Sequence, residues 1–150
     1  SFWDFHNFGV ESSIPMATVL LSERDNCRRC SKKLVVEGQR HVVVVYHERF
    51  GSYLGSRITK CCRRCKIHEH YGYWTEDRKR LFDSNCLENE FILSSEDTAF
   101  DSSLIRQCSN LLIVGAVPFS TFAASYNRKF GYRVGADEEG VLPKIIFIVF

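Results

Sequence analysis

Two cysteine pairs with the same internal spacing constrain this chain of 150 residues more than any other feature. Cys27 and Cys30 enclose two residues, as do Cys62 and Cys65, and 31 residues separate the pairs. Zinc favours tetrahedral thiolate coordination, and a C-x2-C turn places two sulfurs about 2.3 Å from one ion. The spacing therefore predicts one structural Zn²⁺ bound by four thiolates, with a β-hairpin between the two knuckles as in a zinc ribbon.

Two other uses of the cysteine pairs stay open at this level. Disulfides within each pair would need an oxidising compartment, for which the sequence carries no signal, and would leave three of the seven cysteines unpaired. A redox-active pair is typical of a βαβ context, and the pattern here lacks one. Four thiolates leave no open coordination position, so a catalytic zinc is not expected.

Other cysteines and the histidines offer alternative metal ligands. Cys61 could replace Cys62, but Cys62 repeats the spacing of the first pair and is preferred. Cys86 and Cys108 are interpreted as small buried apolar residues. His68 and His70 alternate along a predicted strand and could meet one metal ion, although two ordinary histidines explain them as well.

Charge is distributed unevenly although the whole chain carries only +2. Residues 24–80 carry a net charge of +9, and the remainder carries −7. A zinc ion with four thiolates is a dianion, so basic residues in the knuckles could simply neutralise it. Cations beside aromatic rings also suit phosphates and bases, which makes DNA a candidate partner. The candidate nucleic-acid residues are Arg28, Arg29, Arg63, Arg64, Tyr73, Trp74, Arg78, Lys79 and Arg80.

The hydropathy pattern predicts an α+β fold, with a small zinc-ribbon-like antiparallel β module followed by a pair of helices that pack on it. Strand-like runs occupy residues 34–36, 41–46, 56–60, 71–74, 78–82 and 91–93, with a turn over residues 75–77. Ser94 followed by Asp97 predicts a helix start, and apolar residues recur from Phe100 to Leu112 at helical spacing. Pro118 predicts the start of a second helix, and Gly131 its end.

Several function classes lack their usual signatures. The sequence contains no zinc-protease, nucleophile-elbow or phosphate-loop motif, so we expect no catalysis and no small-molecule substrate. No apolar stretch is long enough for a membrane span, and no signal peptide is recognised. A first residue other than Met suggests a fragment, and the apolar run that ends the chain could be a strand, the start of a membrane span or a gene-model error.

The order of motifs resembles a known family. A C-x2-C knuckle precedes a Val-rich strand ending in Tyr46-His47. A second knuckle then precedes His70-Tyr71-Gly72-Tyr73, and residues 91–100 and Tyr126-Asn127 follow. Over residues 20–133 this is similar to the cysteine-cluster (CxC) domains of the fifth kind, associated with KDZ (Kyakuja-Dileera-Zisupton) transposases. The resemblance implies a zinc-binding accessory module near DNA, with Cys27, Cys30, Cys62 and Cys65 as ligands and no transposase core in this chain.

These observations predict three segments. Residues 1–22 form an N-terminal piece, residues 23–133 a cysteine-cluster domain with a zinc ribbon over 23–93 and helices over 94–131, and residues 134–150 an atypical tail. The expected function is a non-catalytic, nucleic-acid-associated zinc module of a transposase-like protein, in an intracellular and nuclear location. Two alternatives are a protein-interaction module that tethers a transposase or another protein, and a fragment of an enzyme whose core is absent.

Overall fold

The structure, a computed structural model, describes residues 18–130 and confirms a mixed α+β fold. Eight strands precede two helices. Three of the expectations lie outside the described residues. They are most of the N-terminal segment 1–22, the end of the second helix at Gly131, and the tail 134–150. The strands are β1 (Val19–Leu20), β2 (Val35–His47), β3 (Gly51–Cys61), β4 (His68–Glu69), β5 (Tyr73–Glu76), β6 (Lys79–Phe82), β7 (Phe91–Leu93) and β8 (Thr98–Asp101). The helices are α1 (Ser102–Gly115) and α2 (Phe119–Lys129), and a 3-10 turn covers Cys86–Glu88.

The strands form one sheet in the order β6-β5-β4-β3-β2-β8-β7, and β1 pairs with β3 off this path. Two of the pairings, β1 with β3 and β2 with β8, are parallel, and the others are antiparallel. The expectation of a purely antiparallel module is therefore wrong for these two contacts. Both parallel partners come from segments distant in the chain, where local turn signals carry no information.

The long hairpin of β2 and β3 forms the centre of the sheet. The sequence predicts two separate strands over residues 34–36 and 41–46, but β2 runs without a break through Gly38, with a register shift between Val36 and Arg40. Val43 and Val45 are fully buried on one face of β2, whereas Val42 is exposed and Val44 is partly buried, as the two-residue period of a strand favours. They pack with Leu20, Phe91 and Ala99 in the core of this unit.

The expected helix start at Ser94 is wrong. Residues 94–97 instead form a turn, closed by a hydrogen bond from the Ser94 amide to the Thr98 carbonyl, and β8 begins at Thr98. Ala99 and Phe100 pair with Val45 and Tyr46, and the Phe100 ring stacks on Tyr46 at 5.2 Å. This tertiary pairing outweighs the helical spacing of Phe100, so helix α1 begins only at Ser102.

The second β-hairpin is confirmed, with a shifted turn. Strand β5 extends through Glu76, which pairs with Lys79, so the two-residue loop is Asp77-Arg78 and not residues 75–77. Both loop residues have positive φ, at 50° and 64°, as in the turn type that matches strand twist.

The helices belong to a separate compact unit that begins at Ser103. Pro118 caps α2 as the sequence predicts, and Phe122 and Tyr126 are buried along one side of that helix. Over residues 18–130, no helix combines the length and apolar character that crossing a membrane requires.

The close approach of β1 to β3 depends on Gly55. A Cβ at this position would lie 2.9 Å from the Thr18 carbonyl oxygen and 3.0 Å from a Val45 methyl group. We therefore expect Gly55→Ala to lower the free energy of unfolding by about 1–3 kcal/mol, as overpacking does elsewhere. Urea unfolding with zinc present measures the change.

Gly38→Ala is the matched control for this substitution, because no atom lies within 4 Å of a Cβ at Gly38. We expect its free energy of unfolding to stay within about 1 kcal/mol of the wild type. Equal stabilities of the two variants would contradict the assigned packing of β1 on β3.

Candidate metal centre

The two cysteine knuckles have the same backbone structure, displaced by 35 residues. In the first, the Cys27 carbonyl accepts from the Ser31 amide, and the Cys27 amide donates to the Lys32 carbonyl. In the second, Cys62 makes the same two bonds with Lys66 and Ile67. Ser31 and Lys66 both have positive φ, at 57° and 58°. The chain therefore builds one type of turn twice.

The two turns bring four thiols together. The sulfurs of Cys27, Cys30, Cys62 and Cys65 all lie within 4.8 Å of one another, and the Cys30 and Cys62 sulfurs are 3.6 Å apart. In a tetrahedral site with metal–sulfur bonds of about 2.3 Å, adjacent sulfurs are separated by about 3.8 Å. Four sulfurs at this spacing could hold one metal ion.

The cluster contains Cys62 and not Cys61. Cys62 is buried beside the other three thiols, whereas Cys61 ends β3, where it pairs with His68. Burial and the Glu37 carboxylate raise the pKa of Cys61. All seven cysteines are free thiols in the structure. Of the two interpreted as core, Cys108 is buried and Cys86 is only partly buried.

The thiols of the cluster influence one another strongly. The Cys65 amide donates to the Cys62 sulfur at 3.4 Å and, with further donors, lowers the pKa of Cys62 to about 6. The Cys30 thiol and burial raise the pKa of Cys65 to about 12. One thiolate in this crowded group thus forms readily, while a second is opposed by the first. A bound cation supplies the positive charge that further deprotonation needs.

An apolar shell surrounds the four thiols. Leu34, Ile67 and the Trp74 ring pack against them, and Ile67 is 1% exposed. The apolar residue that follows each knuckle thus covers the sulfurs, and Trp74 reaches them from β5. Low solvent access strengthens electrostatic interactions within such a site.

Arg28 links the first knuckle to the sheet. Its Nε donates to the Glu69 carboxylate at 2.6 Å, and its Nη2 donates to Glu69 at 3.1 Å and to Asp83 at 2.6 Å. The guanidinium also lies over the Trp74 ring, 3.7 Å from the centroid. The Glu69 side chain is completely buried. Arg28 is therefore engaged inside the protein, and neither of its carboxylate partners carries a sequence signal.

The other candidate nucleic-acid residues divide into two groups. Arg29 forms an ion pair with Glu76, Trp74 lies beneath Arg28, and Tyr73 is buried, with the Arg80 guanidinium 4.7 Å from its ring centroid. Five side chains remain exposed on the second knuckle and the β5–β6 hairpin, and we call them the exposed cations. They are Arg63, Arg64, Arg78, Lys79 and Arg80.

The histidines lie apart from the thiol cluster. His68 bonds to the Glu37 carboxylate at 2.8 Å. His70 is buried, and burial followed by the charge of Arg57 lowers its pKa to about 4. Neither belongs to a group that could hold a metal within the described part of the chain.

Comparison of the chain with protein-family models, curated proteins and solved structures gives no match.

Proposed function

We propose that this chain is a non-catalytic module whose fold is held by one structural zinc ion. The observation that carries the proposal is the convergence of four thiols from two identical turns. Zinc is the metal that prefers four thiolates in tetrahedral geometry, and the knuckle–hairpin–knuckle order is that of a zinc ribbon. Four protein ligands fill the coordination shell, which favours a structural role over a catalytic one.

Elemental analysis of the full chain, purified under reducing conditions without added metal, tests this proposal. We expect one equivalent of zinc per chain that survives gel filtration. Protein that is folded but contains no zinc would overturn the proposal.

We further propose that the module associates with nucleic acid through phosphate contacts. The exposed cations support this, because no carboxylate of residues 18–130 forms an ion pair with any of them, whereas Arg28 and Arg29 have carboxylate partners. Tyr73 and Trp74 are not available for stacking on bases, so contact would be electrostatic and only weakly sequence-dependent. In this proposal the chain is an intracellular, nuclear accessory module of a transposase-like protein, as the family resemblance implies.

Salt dependence of DNA binding provides the test. Each phosphate contact contributes about 0.9 to the slope of log K against log salt, so replacing Arg78, Lys79 and Arg80 by Ala should flatten the slope by up to about 2.7. Fluorescence anisotropy with labelled duplex DNA measures the slope. Arg24, Arg49 and Arg128 are exposed elsewhere, and replacing these three by Ala is the charge-matched control. Equal slopes for both variants, or no binding at low salt, would contradict the proposal.

A protein partner is the second candidate, and one observation favours it. Leu81, Phe82 and Leu87 on and beyond the same hairpin are 38%, 56% and 74% exposed. Apolar side chains beside cations also suit a protein interface, for example with a transposase. If the chain does not bind DNA even at low salt, that result would favour a protein partner.

A further inference from the structure

A second polar cluster lies on β3 and the strands beside it, and its central residue is a buried cation. Arg57 is only 4% exposed, yet among residues 18–130 no carboxylate forms an ion pair with it. Asp97 is not an ion-pair partner of Arg57, because its carboxylate accepts a hydrogen bond from the Ser95 hydroxyl at 2.6 Å. That hydroxyl is the main cause that lowers the pKa of Asp97, and the charge of Arg57 is the smallest. Buried guanidinium groups normally have an anionic partner, so the position of Arg57 calls for one.

The two groups that accept hydrogen bonds from Arg57 are neutral. Arg57 Nη1 lies 3.3 Å from His70 Nδ1 and 3.3 Å from the Tyr73 hydroxyl oxygen, and Thr59 Oγ1 lies 3.2 Å from the same His70 nitrogen. A guanidinium can only donate, so Nδ1 of His70 accepts and the ring is neutral. Because burial lowers the pKa of His70 to about 4, this neutral form persists at physiological pH.

Donors are left over in this arrangement. Both hydrogen bonds of the Arg57 guanidinium come from Nη1, and its buried Nε has no partner. The Tyr73 oxygen accepts from Arg57, so its own proton is available to a further acceptor. A second guanidinium, that of Arg80, lies over the Tyr73 ring at 4.7 Å. The Nε–Nη2 edge of a guanidinium matches two oxygens of a carboxylate or phosphate.

This cluster is separate from the metal centre. Tyr73 and Trp74 are neighbours on β5, so their side chains point to opposite faces of the sheet. Trp74 packs on the cysteine cluster, whereas Tyr73 stacks on His70 with ring centroids 4.5 Å apart. Arg57 is therefore not one of the cations that neutralise the thiolates.

We propose that Arg57, Tyr73 and Arg80 bind a phosphoryl-type oxyanion on the face of the sheet opposite the metal centre. The Nε–Nη2 edge of Arg57 binds two anion oxygens, the Tyr73 hydroxyl donates to one of them, and Arg80 adds charge from the exposed side. Thr59 and His70 position Arg57 without touching the ligand. The site requires neither DNA binding nor a catalytic role of the module.

Isothermal titration calorimetry of the full, metal-loaded chain in phosphate-free buffer tests the proposal. One titration uses inorganic phosphate and another dimethyl phosphate, both at constant ionic strength with chloride as the background anion. We expect saturable binding of one equivalent of inorganic phosphate. Equal affinity for dimethyl phosphate would identify a phosphodiester as the natural source of the group, and binding of inorganic phosphate alone would identify a free phosphate or monoester.

Substitutions localise the site. We expect Arg57→Gln to weaken binding at least about tenfold, and Arg80→Gln about three- to tenfold, because each removes a charge-assisted bond. Arg49→Gln is the matched control, since Arg49 is also an exposed arginine but lies in the turn between β2 and β3, whereas Arg57 lies further along β3, where it pairs with His41. Its affinity should stay within about twofold of the wild type.

The proposal is overturned if neither probe binds saturably to the wild type, or if Arg80→Gln and Arg49→Gln have the same affinity. Arg80 is exposed, so this comparison remains decisive if Arg57→Gln does not fold. Metal content measured on the same samples keeps the result independent of the zinc proposal.

Discussion

Replacing Cys62 by Ser is expected to remove the bound zinc and unfold the β unit, whereas Cys61→Ser keeps one equivalent of zinc and the wild-type circular dichroism. Cys62 contributes one of the four clustered sulfurs, and Cys61 lies outside that group. A structural zinc contributes roughly 10–16 kcal/mol of binding free energy at neutral pH, more than the whole stability of most domains. A module that depends on the ion cannot lose a ligand and stay folded.

The pair of variants controls for loss of a thiol in general, since the two substitutions are chemically identical and adjacent in sequence. Elemental analysis and circular dichroism, measured on the same preparations, distinguish them. Loss of zinc from Cys61→Ser with retention in Cys62→Ser would show that Cys61, and not Cys62, is the ligand. Retention in both would show that the cluster does not bind the metal.

Glu69→Gln is expected to lower the free energy of unfolding by about 3 kcal/mol. The Glu69 carboxylate is completely buried and accepts two bonds from Arg28, which joins the first knuckle to β4. Breaking a buried ion pair typically costs about 3–5 kcal/mol, and the lower end applies because Arg28 keeps Asp83 and some contact with water. Urea unfolding with excess zinc measures the change, and the slope with denaturant should stay constant.

Glu76→Gln is the matched control for this substitution. Its partner Arg29 has a side chain that is 62% exposed, so the pair should contribute no more than about 1 kcal/mol. Equal costs of the two substitutions would contradict the role of Arg28 as the link between knuckle and sheet. That role also explains why this cation is not available to a nucleic acid.

The sequence predicts the local features of the site well. The four ligand positions follow from spacing alone, and the preference for Cys62 follows from the repeat of the first knuckle. Side-chain size does not determine the shape of the turns, because Ser31 and Lys66 adopt the same positive φ although one side chain is small and the other long. Backbone hydrogen bonds, which both turns share, set this conformation.

Features that depend on distant contacts could not be predicted in this way. Residues from Ser94 onward have the spacing of a helix, but pairing of Thr98 with Val44 makes β8 a strand. The sequence makes Arg28 a candidate for contact with nucleic acid, whereas its partner Glu69 lies 41 residues away in the chain. The absence of an ion pair to Arg57 among residues 18–130 could not be predicted for the same reason, because the assembly of the sheet decides which carboxylates come near this side chain.

X-ray absorption at the zinc K-edge of the full chain, purified under reducing conditions, tests the central claim most directly. The arrangement of the thiols predicts a first shell of four sulfurs at about 2.3 Å with no nitrogen or oxygen ligand. A shell that contains an imidazole nitrogen or a water oxygen, or a protein without zinc, would contradict a closed structural site formed by Cys27, Cys30, Cys62 and Cys65.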